Sequence, residues 1–454
     1  MINKITSKLK ETISKLKETD SKKRRKIIII SLSSLILIIL LVAVLMLRSC
    51  QSDEAVVYPD DDIEVLPTES PIIEETTDEI DLPLPVIDGD DNEQAELPVI
   101  EVLEEQTQPV PETTEAVVQN STSQIISRKA SDGNFYSYLT GLECTEEEQL
   151  KRPVAVMINN IIPSLPNVGT SHADIIYECI VEGGITRLML ILKDYENVPV
   201  YGSVRSARDY YIDLAQAHDA IFVHAGGTDM AYVQFRDRQI NRLDGVNPVN
   251  GVTFPNTFYR DAVRRRTMAL EHTLMATGPG IVAGIQRMNY RTTVKDDYKG
   301  SLNFYTTLTD MGANGSTANY IIVPYSNGFQ PEFIYNPDDG LYYRKQYGSA
   351  HIDAGNNQQL RFQNVIVLFA DYRALGVANG YLACNLTGTG YGFYISNGKY
   401  KIIKWEKRTR DSEYSLYNLN DTDLYINAGK TFICVTSTVY NRNVVINDEI
   451  KDYR

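Results

Sequence analysis

Arg205 and Arg208 stand three residues apart in GSVRSARDYYIDLAQAHDAIFVHAGG, and His224 comes just before Gly226 and Gly227 at its end. Between these polar ends, Ile212, Leu214, Ala215 and Ala220 to Val223 read as core. Guanidinium and imidazole groups beside a core cost free energy unless they are partnered. Two arginines supply forked donors suited to phosphate or carboxylate. Two glycines ahead of a helix let backbone N–H groups approach an anion. These residue types predict a small anion-binding cleft built from Asn159, Arg205, Arg208, His224, Gly226 and Gly227. Arg260, Asp261 and His272 are candidates to join it from a neighbouring loop. A purely structural reading competes: Arg205 pairs with Glu182 or Asp209, Arg208 pairs with Asp213 along a helix, and His224 is a hydrogen-bonded strand-end residue. Glu182 and Arg187 in EGGITR read as an ion pair across a tight turn, and Arg264 to Arg266 as a solvated helix face.

Catalytic patterns are absent. No serine lies in a nucleophile elbow, no cysteine has an evident His and Asn/Asp setting, and HADIIYE does not have zinc-protease spacing. His224, His272 and Asp261 are of types that ligate zinc or move protons, but no spacing demands either role. No catalytic residue, metal or cofactor is therefore assigned. The sole tryptophan, Trp405, reads as a strand-packing residue, and the 29 tyrosines, many in the later β segment, as contact residues. Among the five cysteines, Cys384 and Cys434 both sit in strand-like runs, where either a bridge between them or two buried thiols would fit.

The elements that must position these groups alternate. PVAVMIN (153–159) and ITRLMLILK (185–193) are buried strands, YGSV (201–204) a short one and AIFVHA (220–225) another. SHADIIYECIVEGG (171–184) is expected to be a helix with Ser171 at its N-cap and glycines at its stop. RDYYIDLAQAHD and residues 229–237 read as further helices. Strands alternating with helices imply an α/β first part over 135–289. After a connector at 290–316, Tyr/Ile/Val-rich runs split by Asn, Gly and Asp imply a mainly-β second part over 317–440, with a hairpin turn at SNGK (396–399).

The first 134 residues are of another kind. Residues 27–47 form an uncharged apolar run of 21 residues, about 32 Å as a helix and long enough to cross a hydrocarbon core of about 30 Å. KKRRK lies just before it, and no Lys or Arg occurs from Ser49 to Ser127. The expected topology is one transmembrane helix with residues 1–26 cytoplasmic and the remainder extracellular. Leu47 to Cys50 also resembles a lipoprotein cleavage site, although the apolar run exceeds the usual length of a signal peptide. Residues 48–134 read as a disordered acidic stalk, with eight prolines and Tyr58 as the one aromatic between Gln51 and Ser127. The net charge of −15 belongs to that stalk: residues 49–127 carry 22 acidic groups and no basic ones, whereas residues 128–454 carry 33 basic and 34 acidic groups. A nearly neutral folded part gives no case for nucleic-acid binding.

At RPVAVMINN, SHADIIYECIVEGGITRLM, GSVRSARDYYIDLA and AIFVHAGG the chain resembles the YerB-like lipoprotein family, over about residues 135–437. Where members tend to show Pro-His-Asn, this chain reads Glu271, His272, Thr273. The resemblance implies a two-part extracellular domain of the cell envelope whose activity is not established. The expected function is a membrane-anchored binding or regulatory module for a protein partner or an anionic cell-wall ligand. The competing expectation is an envelope hydrolase or transferase using the Arg205/His224 cleft.

Overall fold

A computed structural model describes residues 132–376, 380–438 and 443–451. The basic segment, the apolar run at 27–47, Cys50 and almost all of the acidic stretch lie outside the described residues. Among the described residues, no helix is long and apolar enough to cross a membrane.

The described chain is rich in strands and has few helices: α1 (Glu146–Leu150), α2 (Asp209–Gln216), α3 (Asp229–Asp237) and α4 (Gly278–Arg287). The first segment supplies β1 (Val154–Asn159), β2 (Ile175–Ile180), β3 (Thr186–Leu192), β4 (Ile221–His224) and β5 (Arg242–Asp244). The second supplies β6 (Asn364–Ala374), β7 (Leu382–Asn385), β8 (Gly388–Ser396), β9 (Lys399–Lys407), β10 (Ser415–Tyr417) and β11 (Thr431–Ser437). All of these strands join one mixed sheet in the order β9-β8-β6-β11-β2-β3-β1-β4-β5, with Ser316–Thr317 on the outer side of β9. β7 pairs with β6, and β10 with β9. The seam between the segments is β11, parallel to β6 on one side (Asn364↔Thr431) and to β2 on the other (Thr431↔Ile175). A second sheet, wholly from the later residues, runs Ser349–Ala350, Leu341–Gln346, Glu332–Asn336, Tyr320–Ile322, Val444–Ile446, Glu449–Lys451.

Residues 171–184 correct the helix expected there. They form a short 3-10 turn, then β2, then a second 3-10 turn at Glu182–Gly184. Every residue of β2 is buried, so its apolar run serves a strand flanked on both sides as well as it would a buried helix. Ser171 caps no helix; its N–H and hydroxyl both donate to Asp353. α4 went unread because GPGIVAGIQR is poor in helix formers. Its glycines are there for close packing: a Cβ on Gly278 would lie 2.3 Å from the Tyr195 carbonyl oxygen, and one on Gly280 2.5 Å from that of Asn256. The connector at 290–316 also contributes structure, since Asn303–Tyr305 pairs with Tyr425–Asn427. The SNGK hairpin forms as its sequence implies, with Asn397 and Gly398 at φ 51° and 70° between β8 and β9.

Cys384 and Cys434 are free thiols. They flank β6 on opposite sides, paired with Tyr372 and Val367 respectively, and this register separates them along the strand.

Candidate anion-binding site

The expected cleft splits into two places. At the first, the His224–Gly227 loop is already filled. Gly226 adopts φ 72°, and its N–H donates to Asp244 Oδ1 at 2.9 Å. Val246 N–H donates to the same oxygen at 2.9 Å, and the Tyr232 hydroxyl to Oδ2 at 2.6 Å. The carboxylate of Asp244 thus occupies the position an external anion would need. Burial works to raise the Asp244 carboxyl, but His224 and these hydrogen bonds outweigh it, so the group lies below the usual range. His224 is fully buried, stacked on Phe235 with centroids 4.7 Å apart, and its Nδ1 faces the Gly226 carbonyl at 2.8 Å. Burial holds its imidazole below the ordinary value, with Asp244 opposing. The expectation that His224, Gly226 and Gly227 line an open cleft is corrected: they build a closed turn.

At the second place, Asn159, Arg205 and His272 converge. Asn159 ends β1, Arg205 follows the short strand Tyr201–Gly202, and His272 lies in the 3-10 turn Leu270–His272. Asn159 Nδ2 donates to His272 Nδ1 at 3.0 Å. This assigns the ring proton to Nε2, which faces Glu271 Oε1 at 3.4 Å. Glu271 Oε2 then pairs with Arg205 Nη2 at 3.1 Å. Arg205 therefore pairs with Glu271, not with Glu182 or Asp209 as its sequence position implied. Arg208 pairs with Glu182 instead of Asp213: its Nε donates to Oε2 at 2.9 Å, and its Nη2 to Oε1. Arg187 also reaches Glu182 Oε1, at 3.5 Å, so the ion pair read in EGGITR forms.

Arg260, Asp261 and Arg264 serve mainly to hold the neighbouring loop. Arg260 donates to the Leu270 carbonyl at 2.6 Å, and Asp261 Oδ1 accepts from Arg264 N–H at 2.7 Å. Arg264 also donates to the Ser164 carbonyl at 2.9 Å, so it is not simply a solvated residue. Burial lowers His272, with Glu271 opposing and Arg205 and Arg264 assisting. Burial likewise lowers Arg187, to about 10, with Arg205 adding to the effect. At about 10 the Arg187 guanidinium still carries its charge near neutral pH. The residue that sequence reasoning left out is Glu271; its one signal was adjacency to His272. Among the described residues no cluster of His, Cys, Asp and Glu is arranged to hold a metal.

Fold and site together define a β-rich, two-segment module with one shared sheet and an arginine-rich polar cluster at the end of β1. Models of the N-terminal and C-terminal domains described as "Protein of unknown function (DUF3048)" match residues 139–291 and 321–433, and the chain belongs to this family. It is similar to YerB, a candidate lipoprotein of Bacillus subtilis (strain 168), at 26% identity over 269 residues, which span 59% of this chain and 77% of the relative. The crystal structure of YerB protein from Bacillus subtilis matches with a TM-score of 0.57 and 24% identity, covering 66% of this chain and 96% of that one. The sequence blocks that pointed to a YerB-like family pointed correctly.

Proposed function

We propose that this chain is a membrane-anchored envelope module that binds an anionic ligand at Arg205, with Glu271 standing where the ligand's phosphate or carboxylate would go. One observation carries the reading. The Arg205 side chain is 21% exposed, and its ion-pair partner is a carboxylate 53% exposed on a different loop. Such a partner is displaced at small cost, because exposed ion pairs contribute about 0–1 kcal/mol. Arg187 and Arg208 are instead both paired with Glu182. In this reading the uncharged run at 27–47 anchors the chain with its N-terminus cytoplasmic, and the acidic stretch after it carries the folded part outward. The name of YerB as a candidate lipoprotein supports an envelope location. An enzymatic role for His224 has no geometric support, because its ring is buried against Phe235 and one nitrogen is engaged by the Gly226 carbonyl.

The test is binding of poly(glycerol phosphate) to the full-length protein at low and high salt. Arg205→Ala is expected to weaken binding about tenfold or more, and Glu271→Ala to strengthen it about threefold, since the internal competitor is gone. Affinity should fall as salt rises. If Glu271→Ala weakens binding as much as Arg205→Ala, Glu271 is part of the receptor and the stand-in reading is wrong. If no polyanion binds and envelope extracts yield a protein lost on Arg205→Ala, the ligand is a protein partner.

A further inference from the structure

A three-stranded sheet carries the loops around Arg205. It runs Tyr201–Gly202, Leu274–Ala276, Phe258–Arg260. Leu274 lies opposite Arg260, and the Leu274 carbonyl accepts from Val204 N–H at 2.7 Å, so Arg205 and Arg260 leave the same end of this sheet. A pocket of about 360 Å³, within the range of small-molecule sites, opens beside Arg260. Val246, Phe254, Phe258, Tyr259 and Leu274 line it together with Arg260. Gly245 brings a turn close against two of these side chains: a Cβ there would lie 2.8 Å from Leu274 and 2.9 Å from Phe258. A Cβ on Gly226 would lie 3.8 Å from Ser206 Oγ and 3.9 Å from a Val246 methyl, so the Val246 wall adjoins the segment that carries Arg205. Apolar surface continues outside the pocket. Val246, Val263 and Leu270 are each more than half exposed, and so is Ile162, whose turn is tied to the 260–271 loop by Arg264.

Positive charge gathers at this end of the sheet. Arg205 has Glu271 as its partner. Arg260 donates to the Leu270 carbonyl, and neither it nor Arg265 has an ion pair among the described residues. Burial lowers the Arg260 guanidinium, and Arg265 and Arg205 lower it further, so the three groups act on one another. An anion placed among them relieves that repulsion. The apolar pocket begins at the same arginine, which suits a ligand whose charge and hydrocarbon are joined. We propose that the anion taken at Arg205 is the phosphate of a lipid, whose chain enters the pocket past Arg260 and continues over the exposed apolar side chains of the same loops. The inference rests on Arg205 being an anion site and adds the class of the ligand. A polyanion without hydrocarbon would make no use of the pocket, and a neutral lipid would give the arginines no acceptor of matching charge.

The experiment is calorimetry on the full-length protein in phosphatidylcholine nanodiscs, titrated with methyl, butyl and octyl phosphate and with octanol, the heats of empty nanodiscs being subtracted. Butyl phosphate is expected to bind about tenfold more tightly than methyl phosphate, and octyl phosphate about threefold more tightly again, since each methylene removed from water adds to affinity. Val246→Ser combined with Tyr259→Ser should bring the affinities of the phosphates within about threefold of one another at an unchanged urea midpoint. Arg205→Ala should weaken all of them about tenfold. Equal binding of methyl and butyl phosphate overturns the inference and leaves the anion site standing. A plateau at butyl phosphate overturns the lipid assignment in favour of a small phosphate ester. Octanol binding as tightly as octyl phosphate, or a chain-length gain that survives the double substitution, also overturns it. If no phosphate binds at about 10 mM, the anion site and this inference fall together.

Discussion

At the scale of single residues, the site is wired to the interior by two histidines with the same tautomer. Arg344 donates to Nδ1 of His351, and His351 Nε2–H donates to Asn167 Oδ1 at 2.7 Å. Asn167 Nδ2 donates to the Asn159 carbonyl at 2.8 Å, and the Asn159 side chain donates to His272 Nδ1. A proton added at either Nδ1 would face an N–H donor. Burial lowers the pKa of both rings, with Arg344 assisting at His351. Burial also pushes His218 down to about 3, and it lowers His224. In the unfolded chain all four would titrate near about 6.5. Below that pH the unfolded state binds protons that the folded state refuses, so stability is lost as pH falls from 7 toward 5, at up to about 1.4 kcal/mol per pH unit for each ring. Asp174 and Asp213, raised by burial, act in the opposite sense from about 3.8 upward and blunt the fall toward the acid end. His224→Phe keeps the ring stacked on Phe235 but removes one titrating group. Its stability at pH 7 should drop by about 1 kcal/mol for the lost bond to Gly226, while the slope of urea stability against pH becomes shallower by about one histidine's share. An unchanged slope would show that His224 charges freely in the folded protein.

At the scale of elements, the join between β2 and the later residues is secured by Asp353. Its carboxylate accepts from Gly169 N–H at 2.9 Å and Gly355 N–H at 2.8 Å on one oxygen. The other accepts from Ser171 N–H at 2.8 Å and the Ser171 hydroxyl at 2.7 Å. Asp353→Ala takes the acceptor from one buried donor, Gly169 N–H, and from part-buried donors on Gly355 and Ser171, and is expected to cost about 2 kcal/mol, read as a lower urea midpoint with an unchanged m-value. Asp353→Asn, which keeps two acceptor lone pairs, should lose less. These contacts also show why part of the fold was legible and part was not. β1, β3, β4, α2 and α3 follow local periodicity, and so were readable from runs such as PVAVMIN and AIFVHA. β2 was misread because a short run buried on both sides does not distinguish a strand from a helix; its strand identity comes from its two neighbours, β3 just after it and β11 more than 250 residues later. Asn159 and Arg205 were recognisable as polar groups at strand ends. That Asp244 would fill the Gly226 turn, or that Glu271 would reach Arg205, depends on loop paths that no local pattern encodes.

At the scale of the whole molecule, the two family segments share a core and are expected to fold as one unit. β11 inserts between β2 and β6, so the first segment alone would expose the β2 edge, with its apolar faces uncovered. Beneath this seam lies a fully buried ion pair, Arg344 Nη2 to Glu178 Oε2 at 2.8 Å. Glu178 also accepts from Asn160 Nδ2 and the Thr186 hydroxyl, each at 2.7 Å, so three chain regions meet at one carboxylate. The Arg344 guanidinium lies 5.0 Å from the Phe432 ring on β11 itself. Removing one member leaves the other charge buried and unpaired, which costs about 3–5 kcal/mol. Arg344→Met should therefore destabilise both segments together, and the paired variant Arg344→Met, Glu178→Gln should recover part of the loss. Hydrogen exchange in a urea series on the full-length protein separates the alternatives. Amides of β3 and of β8 should reach the same opening free energy at the same urea concentration, and Arg344→Met should shift both equally. If β8 keeps its protection while β3 opens, the shared sheet would be a docked interface between two autonomous domains.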